Sequence, residues 1–267
     1  MPPDALNSEK PKIIYILPFY DEKTDTHYYY NYELIRAAAL DIDIFTVIEK
    51  GTGTVNLGTP FQVQKRTSAI GRFIELNFIL RKLRKQGYRN IYVHYSFIGA
   101  FAGWFSGGCV FYWNCGMPWL FKRKFFEELL FRFILRHATL VTGSEILANE
   151  YAKHYKIQRW RIMSNWVDAE RFLPKEEKEA TKSWFGIKGG TKLILFVHHL
   201  SERKGADLIS PIASSLQDLD AVFLSLATGR IASALSSKPM IRERRLRLSA
   251  LCQIAIWLLI IKPRIFF

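Results

Sequence analysis

The sequence alternates short apolar runs with segments of helical length, and this alternation constrains the fold more than any other feature. The runs are rich in Ile, Val, Phe and Tyr and show little alternation with polar residues, as strands buried on both faces do. Strands are predicted at residues 12–17, 43–48, 90–94, 109–113, 139–142, 161–164, 191–197 and 221–226. Helices are predicted between them, at residues 28–39, 71–85, 123–136, 145–155, 176–184 and 204–216. The sequence therefore predicts an α/β protein with parallel sheets, in which ligands bind at the carboxyl ends of the strands.

Charge and cysteine content exclude several classes of protein. Apolar residues make up 49% of the 267-residue chain and charged residues 23%, which excludes a disordered protein. The three cysteines form no CxxC pair, which argues against a disulfide scaffold or a cysteine zinc site and favours a reducing, cytoplasmic setting. The N-terminus has no apolar core, so no signal peptide is predicted.

The chain is predicted to contain two α/β units and an atypical tail. Pro174 is followed by a charged stretch, and a Gly-rich loop at 186–190 precedes a new apolar strand. We predict one domain at 1–175, the start of a second at 188–226, and a basic, apolar tail at 227–267. The uncharged stretch 95–113 is long enough to span a bilayer, but its four glycines favour a buried helix, a turn and a strand.

The strongest local motif lies at the start of the second unit. The strand predicted at 191–197 runs into His198 and His199, and a short loop with Arg203, Lys204 and Gly205 leads to the next predicted helix. A helix N-terminus beside two cations suits an anion. A solvated basic turn remains the alternative.

Two further motifs follow predicted strands in the first unit. Ser144 lies after the strand 139–142 and either caps the next helix or contacts a ligand. Asn165 and Asp168 lie after the strand 161–164, where they can hydrogen-bond the nearby backbone and fix a turn.

In this order and spacing, the three motifs resemble those of the family 4 glycosyltransferases of the GT-B fold. The matching segments are Thr142-Gly-Ser-Glu145, Asn165-Trp-Val-Asp-Ala-Glu-Arg-Phe172 with Pro174, His198-His-Leu-Ser-Glu-Arg-Lys-Gly205, and the upstream Ile91-Tyr-Val-His94 with Gly99. The resemblance covers about residues 10–224 and implies two Rossmann-like domains, of which the second is incomplete in this sequence.

This resemblance implies a retaining transfer of a hexosyl unit from UDP- or GDP-sugar to a glycan or lipid-linked acceptor, without a metal ion or cofactor. It assigns Lys204, with Arg203, Gly205 and His199, to the donor diphosphate. His94 and Asn114 are the candidate catalytic residues, although Asn114 replaces the family's histidine and can only donate or accept hydrogen bonds. His27, Ser144 and Asn165 are candidates for the cleft.

The sequence departs from the family in several places. His198-His199 replaces the family's Gly-Arg, and no glycine pair follows the first strand. No Glu-x7-Glu follows residue 224, so only two strands are expected in the second unit. The tail holds half of the net charge of +14 and an apolar run at 248–261. It is expected to be either out-of-frame translation, which would truncate the enzyme, or a C-terminal membrane anchor.

Three classes of function therefore stay open: a glycosyltransferase, a non-catalytic carbohydrate- or membrane-binding module, and a membrane-anchored structural protein. The basic, aromatic segments 73–85 and 121–136 either touch the cytoplasmic face of a membrane or pack on their own sheet. The absence of an RNP1 pattern, a zinc finger and a basic heptad region argues against nucleic-acid binding.

Overall fold

The computed structural model describes residues 10–21, 29–167, 169–170, 182–183, 186–197, 202–216, 219–227, 241–245 and 257–261. The chain divides into two compact units, Met1–Ala169 and Glu170–Phe267. The domain end predicted at residue 175 and most of the helix predicted at 176–184 fall outside the described residues.

The first unit follows the predicted alternation of strands and helices. Its strands are β1 (Lys12–Leu17), β2 (Tyr20–Asp21), β3 (Asp43–Ile48), β4 (Gly51–Thr52), β5 (Phe61–Val63), β6 (Asn90–His94), β7 (Cys109–Trp113), β8 (Thr139–Thr142) and β9 (Trp160–Ile162). Its helices are α1 (Tyr29–Ala38), α2 (Ala69–Lys85), α3 (Phe97–Phe105), α4 (Phe125–His137) and α5 (Glu145–Tyr155), with a 3-10 turn at Pro118–Leu120. The predicted bounds of β1, β3, β6, β7 and β8 are confirmed, and the stretch 95–113 is the predicted helix, turn and strand.

Seven of these strands form one parallel sheet in the order β5-β3-β1-β6-β7-β8-β9. The chain leaves β1 toward one edge through β3 and β5, then returns to the other side of β1 with β6. Because parallel crossovers are right-handed, this reversal places the connecting helices on opposite faces. It also opens a crevice at the carboxyl ends of β1 and β6.

Alternate side chains of the central strand enter two separate cores. Ile14 and Ile16 pack with residues of α2, α3, α4 and α5 on one face, and both are fully buried. Tyr15 and Leu17 point to the other face, where they pack with Ile35 of α1. Because both faces are covered, the strand is apolar from Ile13 to Leu17.

Serine side chains begin three of the helices in this unit. The hydroxyls of Ser68, Ser96 and Ser144 accept hydrogen bonds from the third residue beyond them, at 3.2, 2.9 and 3.2 Å. Each bond satisfies one backbone N–H that has no partner within the first turn of a helix.

The second unit has a smaller, mixed sheet. Its elements are β10 (Lys192–Val197), α6 (Ile209–Ser215), β11 (Ala221–Ala227), β12 (Ile241–Arg245) and β13 (Trp257–Ile261), with 3-10 turns at Glu202–Lys204 and Ala206–Leu208. The order is β10-β11-β13-β12, with β10 and β11 parallel and the other pairs antiparallel. Thr191 Oγ1 donates to Asp220 Oδ2 at 3.0 Å, which fastens the start of β10 to that of β11.

The expectation of only two strands in this unit is wrong, because the described residues contain four. The two additional strands come from the tail: β12 is the basic stretch 241–245, and β13 is the end of the apolar run 248–261. A short apolar run cannot be assigned by periodicity alone, and here it pairs with β11. Within the described part of the chain, no helix has both the length and the apolar character needed to cross a bilayer.

Candidate functional site

The candidate catalytic residue His94 lies where the carboxyl ends of β1 and β6 adjoin. His94 is the last residue of β6 and is fully buried. Its Nε2 lies 3.3 Å from Asn31 Nδ2 and 3.3 Å from Tyr30 Oη, both on α1. An amide nitrogen only donates hydrogen bonds, so the contact with Asn31 favours the tautomer in which Nε2 accepts and Nδ1 carries the proton. The sequence therefore predicted the position of His94 at this edge, but the ring is enclosed by protein.

Asn114 follows β7 at the same edge and organises a turn. Its Oδ1 accepts from the backbone N–H of Gly116 at 2.9 Å, and its Nδ2 donates to Tyr112 Oη at 3.4 Å. The residue is buried, and its own backbone N–H donates to the carbonyl of Val141 at 3.0 Å. Asn114 thus ties the ends of β7 and β8 together.

Tyr95, directly after His94, was not predicted to be part of this edge. Its φ of +58° lies in the left-handed region, which is uncommon for a residue with a side chain and is often found at functional sites. Tyr95 Oη lies 3.1 Å from Cys115 Sγ. Burial raises the pKa of both groups, so both stay protonated at neutral pH. No sequence pattern predicts a tyrosine with a left-handed backbone conformation.

A buried ion pair at the carboxyl end of β3 was also missed. Glu49 Oε1 accepts a hydrogen bond from Ser96 Oγ, and Oε2 accepts one from Arg72 Nη2. The Glu49 carboxylate is 4% exposed and the Arg72 side chain 14%. Burial raises the pKa of Glu49, although the hydrogen bond from Ser96 and the charge of Arg72 each lower it. A charged residue directly after a buried strand was the signal that could have pointed to it.

Two of the candidate cleft residues of the first unit, Ser144 and Asn165, lie within the described structure, after the neighbouring strands β8 and β9. Ser144 is exposed and its hydroxyl caps α5, as the structural alternative predicted. Asn165 is exposed in the segment after β9. His27 and Asp168 lie outside the described residues.

The candidate diphosphate loop follows β10 in the second unit. Lys204 is half-buried at the end of a 3-10 turn, and Gly205 takes a φ of +75°. The backbone N–H of Gly205 donates to the carbonyl of Glu202 at 2.8 Å. His198 and His199 fall outside the described residues, and so does the side chain of Arg203.

The helix predicted at 204–216 begins later than expected. A second 3-10 turn intervenes, and α6 starts only at Ile209. Pro211 explains the difference, because proline is tolerated in the first turn of an α-helix but breaks its interior. The helix N-terminus that was expected to assist the cations is therefore not at Gly205.

A groove of about 600 Å³ runs beside β7, β8 and β9 in the first unit. Phe111, Thr139, Trp160 and Arg161 are among the residues that line it. Of the predicted site residues that the structure describes, none lines this groove.

Comparison with known proteins identifies the fold. The sequence matches no family profile and no curated protein, but solved structures superpose on it. A glycosyltransferase from Rickettsia africae ESF-5 matches with a TM-score of 0.61 and 12% identity, over 85% of this chain and 62% of its own. Anabaena Alr3699/HepE, solved in complex with UDP, matches with a TM-score of 0.59 and 11% identity, over 84% of this chain and 62% of its own.

A third match is the UDP-GlcNAc 2-epimerase from Methanocaldococcus jannaschii, with a TM-score of 0.50 and 15% identity, over 80% of this chain and 65% of its own. The fold is of GT-B type. The predicted fold class is thereby confirmed. The chain spans about 62% of the length of the two glycosyltransferase-fold structures compared first.

Proposed function

We propose that this chain belongs to a glycosyltransferase that moves a hexosyl unit from a UDP- or GDP-sugar to a glycan or lipid-linked glycan, with retention. The observation that carries the proposal is the loop after β10, in which Lys204 and Gly205 follow the first strand of the second unit in a GT-B-type chain. In the reaction, the bond between the anomeric carbon and the diphosphate oxygen breaks. A bond to an acceptor hydroxyl oxygen forms, and the hydroxyl proton passes to the departing diphosphate.

Lys204 would stabilise the diphosphate leaving group. Its side chain is half-buried, and a cation that is partly removed from water interacts more strongly with a phosphate than a fully exposed one does. Gly205 has no side chain to block a phosphate, and its left-handed backbone turns the chain sharply beside the lysine. His199 and Arg203 are proposed to assist from the same loop.

The acceptor is proposed to bind at the carboxyl edge of the seven-stranded sheet. Tyr30 and Tyr95 are half-buried there, beside the enclosed His94. Aromatic side chains with polar tips offer both an apolar surface and hydrogen bonds, which suits the mixed surface of a sugar ring. His94 and Asn114 would then support the acceptor site from beneath.

A non-catalytic binding module is the second candidate, and one observation favours it. His94 is fully buried and the amide of Asn114 is engaged in a turn, so neither side chain is presented to a substrate in this structure. A protein of this kind would bind a glycan or a nucleotide without turning it over.

Calorimetric titration of the full chain with UDP and GDP tests the donor site. We expect saturable binding of one nucleotide and a loss of about tenfold or more in affinity for Lys204→Ala, as for a charge-assisted hydrogen bond. Lys188→Ala is the matched control, because Lys188 is an exposed lysine of the same unit that precedes β10 and so lies at the opposite edge of the sheet. Equal losses in the two variants, or no binding of either nucleotide by the folded chain, would contradict the donor site.

Product analysis then separates the chemistries that this fold supports. Incubation with UDP- and GDP-hexoses and a glycan acceptor should release the nucleoside diphosphate and lengthen the glycan. Conversion of UDP-GlcNAc into its 2-epimer without an acceptor would instead support an epimerase. Nucleotide binding with neither product would support the binding module.

A further inference from the structure

The loop after β7 and the first turns of α4 expose a cluster of large apolar side chains. Phe125 and Phe126 are 76% and 79% exposed. Leu120, Phe121 and Leu129 are 65%, 64% and 57% exposed. Single exposed apolar residues are ordinary, but five within ten positions form a patch of the kind that marks an interaction site. We call these five residues the aromatic ridge.

Basic side chains lie within the segment of the aromatic ridge and further along α4. Lys122 and Lys124 are exposed between Phe121 and Phe125. Further along α4, Arg132 and Arg136 follow Phe125 at spacings of seven and eleven residues, which places them on the same helix face. Residues 120–136 hold five Lys and Arg against two Glu.

One of the two acids in this segment, Glu128, is already neutralised by arginines. Glu128 accepts from Arg123 Nη1 at 2.9 Å through Oε2 and from Arg132 Nε at 2.8 Å through Oε1. This pairing leaves Lys122, Lys124 and Arg136 against the exposed Glu127, so the surface keeps a net positive charge. The ridge therefore combines protruding apolar groups with a positive field.

We propose that the aromatic ridge docks on an anionic lipid bilayer. The phenylalanines would enter the boundary between headgroups and acyl chains, while the lysine and arginine heads stay at the level of the anionic headgroups. The centre of a protein–protein interface is depleted of lysine, whereas here Lys122 and Lys124 lie between the exposed aromatics. The pattern thus favours a lipid surface over a protein partner or a second copy of this chain.

The ridge is held in a fixed position on the first unit. Tyr151 Oη of α5 donates to the carbonyl of Gly116 at 3.0 Å, and the Arg123 guanidinium lies 4.3 Å from the centre of the Phe131 ring. Because β7 ends at Trp113, the ridge leaves the sheet at its carboxyl edge, the edge that also contains His94. Docking there would bring a lipid-linked acceptor close to the crevice. This consequence rests on the proposed function, but the docking itself does not.

Flotation of the full chain with vesicles tests the docking, without any nucleotide. Vesicles of phosphatidylcholine alone are compared with vesicles that contain phosphatidylglycerol, at low and high salt. The double variant Phe125→Ser/Phe126→Ser removes apolar insertion, and Lys122→Gln/Lys124→Gln removes charge. Leu40→Ser is the matched control, since Leu40 is 74% exposed and follows α1 on the other face of the sheet.

We expect the wild type to bind the anionic vesicles in a salt-sensitive manner. The lysine variant should lower the partition coefficient about thirtyfold and the phenylalanine variant at least about tenfold, with Leu40→Ser unchanged. All these side chains are exposed, so each variant should keep the thermal unfolding curve of the wild type. An absence of vesicle binding overturns the proposal, and so does undiminished binding by the phenylalanine variant. A self-association that Phe125→Ser/Phe126→Ser abolishes, without vesicle binding, would assign the ridge to a dimer instead.

Discussion

The amide nitrogen of Asn31 donates a hydrogen bond to Nε2 of His94 over 3.3 Å, and neither side chain is more than 1% exposed. The oxygen of the same amide accepts from Tyr15 Oη at 3.0 Å. Burial raises the pKa of Tyr15 well above its ordinary range, so its hydroxyl remains a donor. With Tyr15 donating to the Asn31 oxygen and the Asn31 nitrogen donating to His94, the three residues favour the tautomer of His94 that carries its proton on Nδ1.

Replacing Asn31 by Ala should therefore destabilise the first unit. The Tyr15 hydroxyl loses its acceptor and His94 loses a donor inside the core, which together cost about 2–4 kcal/mol in the free energy of unfolding. Tyr15→Phe removes only the first bond and should cost about 1 kcal/mol. Urea unfolding measures both values, and ¹⁵N chemical shifts of the imidazole report the Nδ1–H tautomer in the wild type. A protonated Nε2 in those spectra would refute the inferred tautomer.

Glu49 should make the folded state less stable as the pH rises, the opposite of the usual behaviour of an acid in an ion pair. Its folded-state pKa is raised above the ordinary value of 4.5, chiefly by burial. The folded state therefore holds the Glu49 proton at pH values where the unfolded chain has lost it. The stability that this residue contributes is present below about pH 4.5 and is lost as the pH rises through the folded pKa. The free energy of unfolding of the wild type, minus that of Glu49→Gln, should accordingly fall with increasing pH.

Ser96→Ala is the second variant for this prediction. The hydroxyl of Ser96 donates to the Glu49 carboxylate and lowers its pKa. Removing this hydroxyl should raise the folded-state pKa of Glu49, so the decrease in stability should extend to higher pH. The variant also loses the cap of α3, which shifts stability at every pH but does not change the slope. A difference between wild type and Glu49→Gln that stays flat or grows with pH would contradict the assignment.

The central strands could be predicted from the sequence because they are buried on both faces. The interiors of strands such as β1 and β6 are formed by Ile, Leu, Val and Tyr, and polar residues mark where they begin. The edge strand β5 was missed because only three residues, Phe61–Val63, pair with β3, and most of their side chains are exposed. Exposed edge strands lack the apolar signal on which such predictions depend.

The site could be predicted only in part, since its contacts join distant segments. The position of His94 follows from the end of its strand, but its partner Asn31 is 63 residues away and lies on a different helix. The pairing of Glu49 with Ser96 spans 47 residues. Local patterns carry no information on such pairs before the strand order is known. The late start of α6 was missed for a different reason, because it depends on the single residue Pro211.

Cys115 should react with alkylating agents more slowly than Cys109. Burial raises the pKa of the Cys115 thiol, which lowers the fraction of reactive thiolate, whereas Cys109 is exposed at the start of β7. The experiment uses Cys252→Ser, so that only these two thiols remain, and follows iodoacetamide labelling at pH 8 by mass spectrometry of peptides. The difference in rate should disappear in guanidinium chloride. Equal rates in the native chain would show that Cys115 is not shielded.

The contact between α3 and the sheet should not tolerate a side chain at Gly108. A Cβ built there collides with Ile91 Cδ1, and it lies 3.0 Å from Ile91 Cγ1 and 3.3 Å from the carbonyl oxygen of Gly103. Because Ile91 is fully buried in the core, it has no free space to move into, and Gly108→Ala should cost about 1–3 kcal/mol in the free energy of unfolding. Gly143→Ala is the matched control, since a Cβ at Gly143 meets no atom within 4 Å.

Ile91→Val separates this collision from any general preference for glycine. The substitution deletes the Cδ1 atom that a Cβ at position 108 would strike, and alone it should cost about 0.5–1.5 kcal/mol. The double variant with Gly108→Ala should lose less stability than the sum of the losses in the two single variants. Ile91→Val removes the Cδ1 atom with which the new Cβ collides. Strictly additive losses, measured by chemical denaturation, would mean that Gly108 is required for its backbone rather than for the closeness of Ile91.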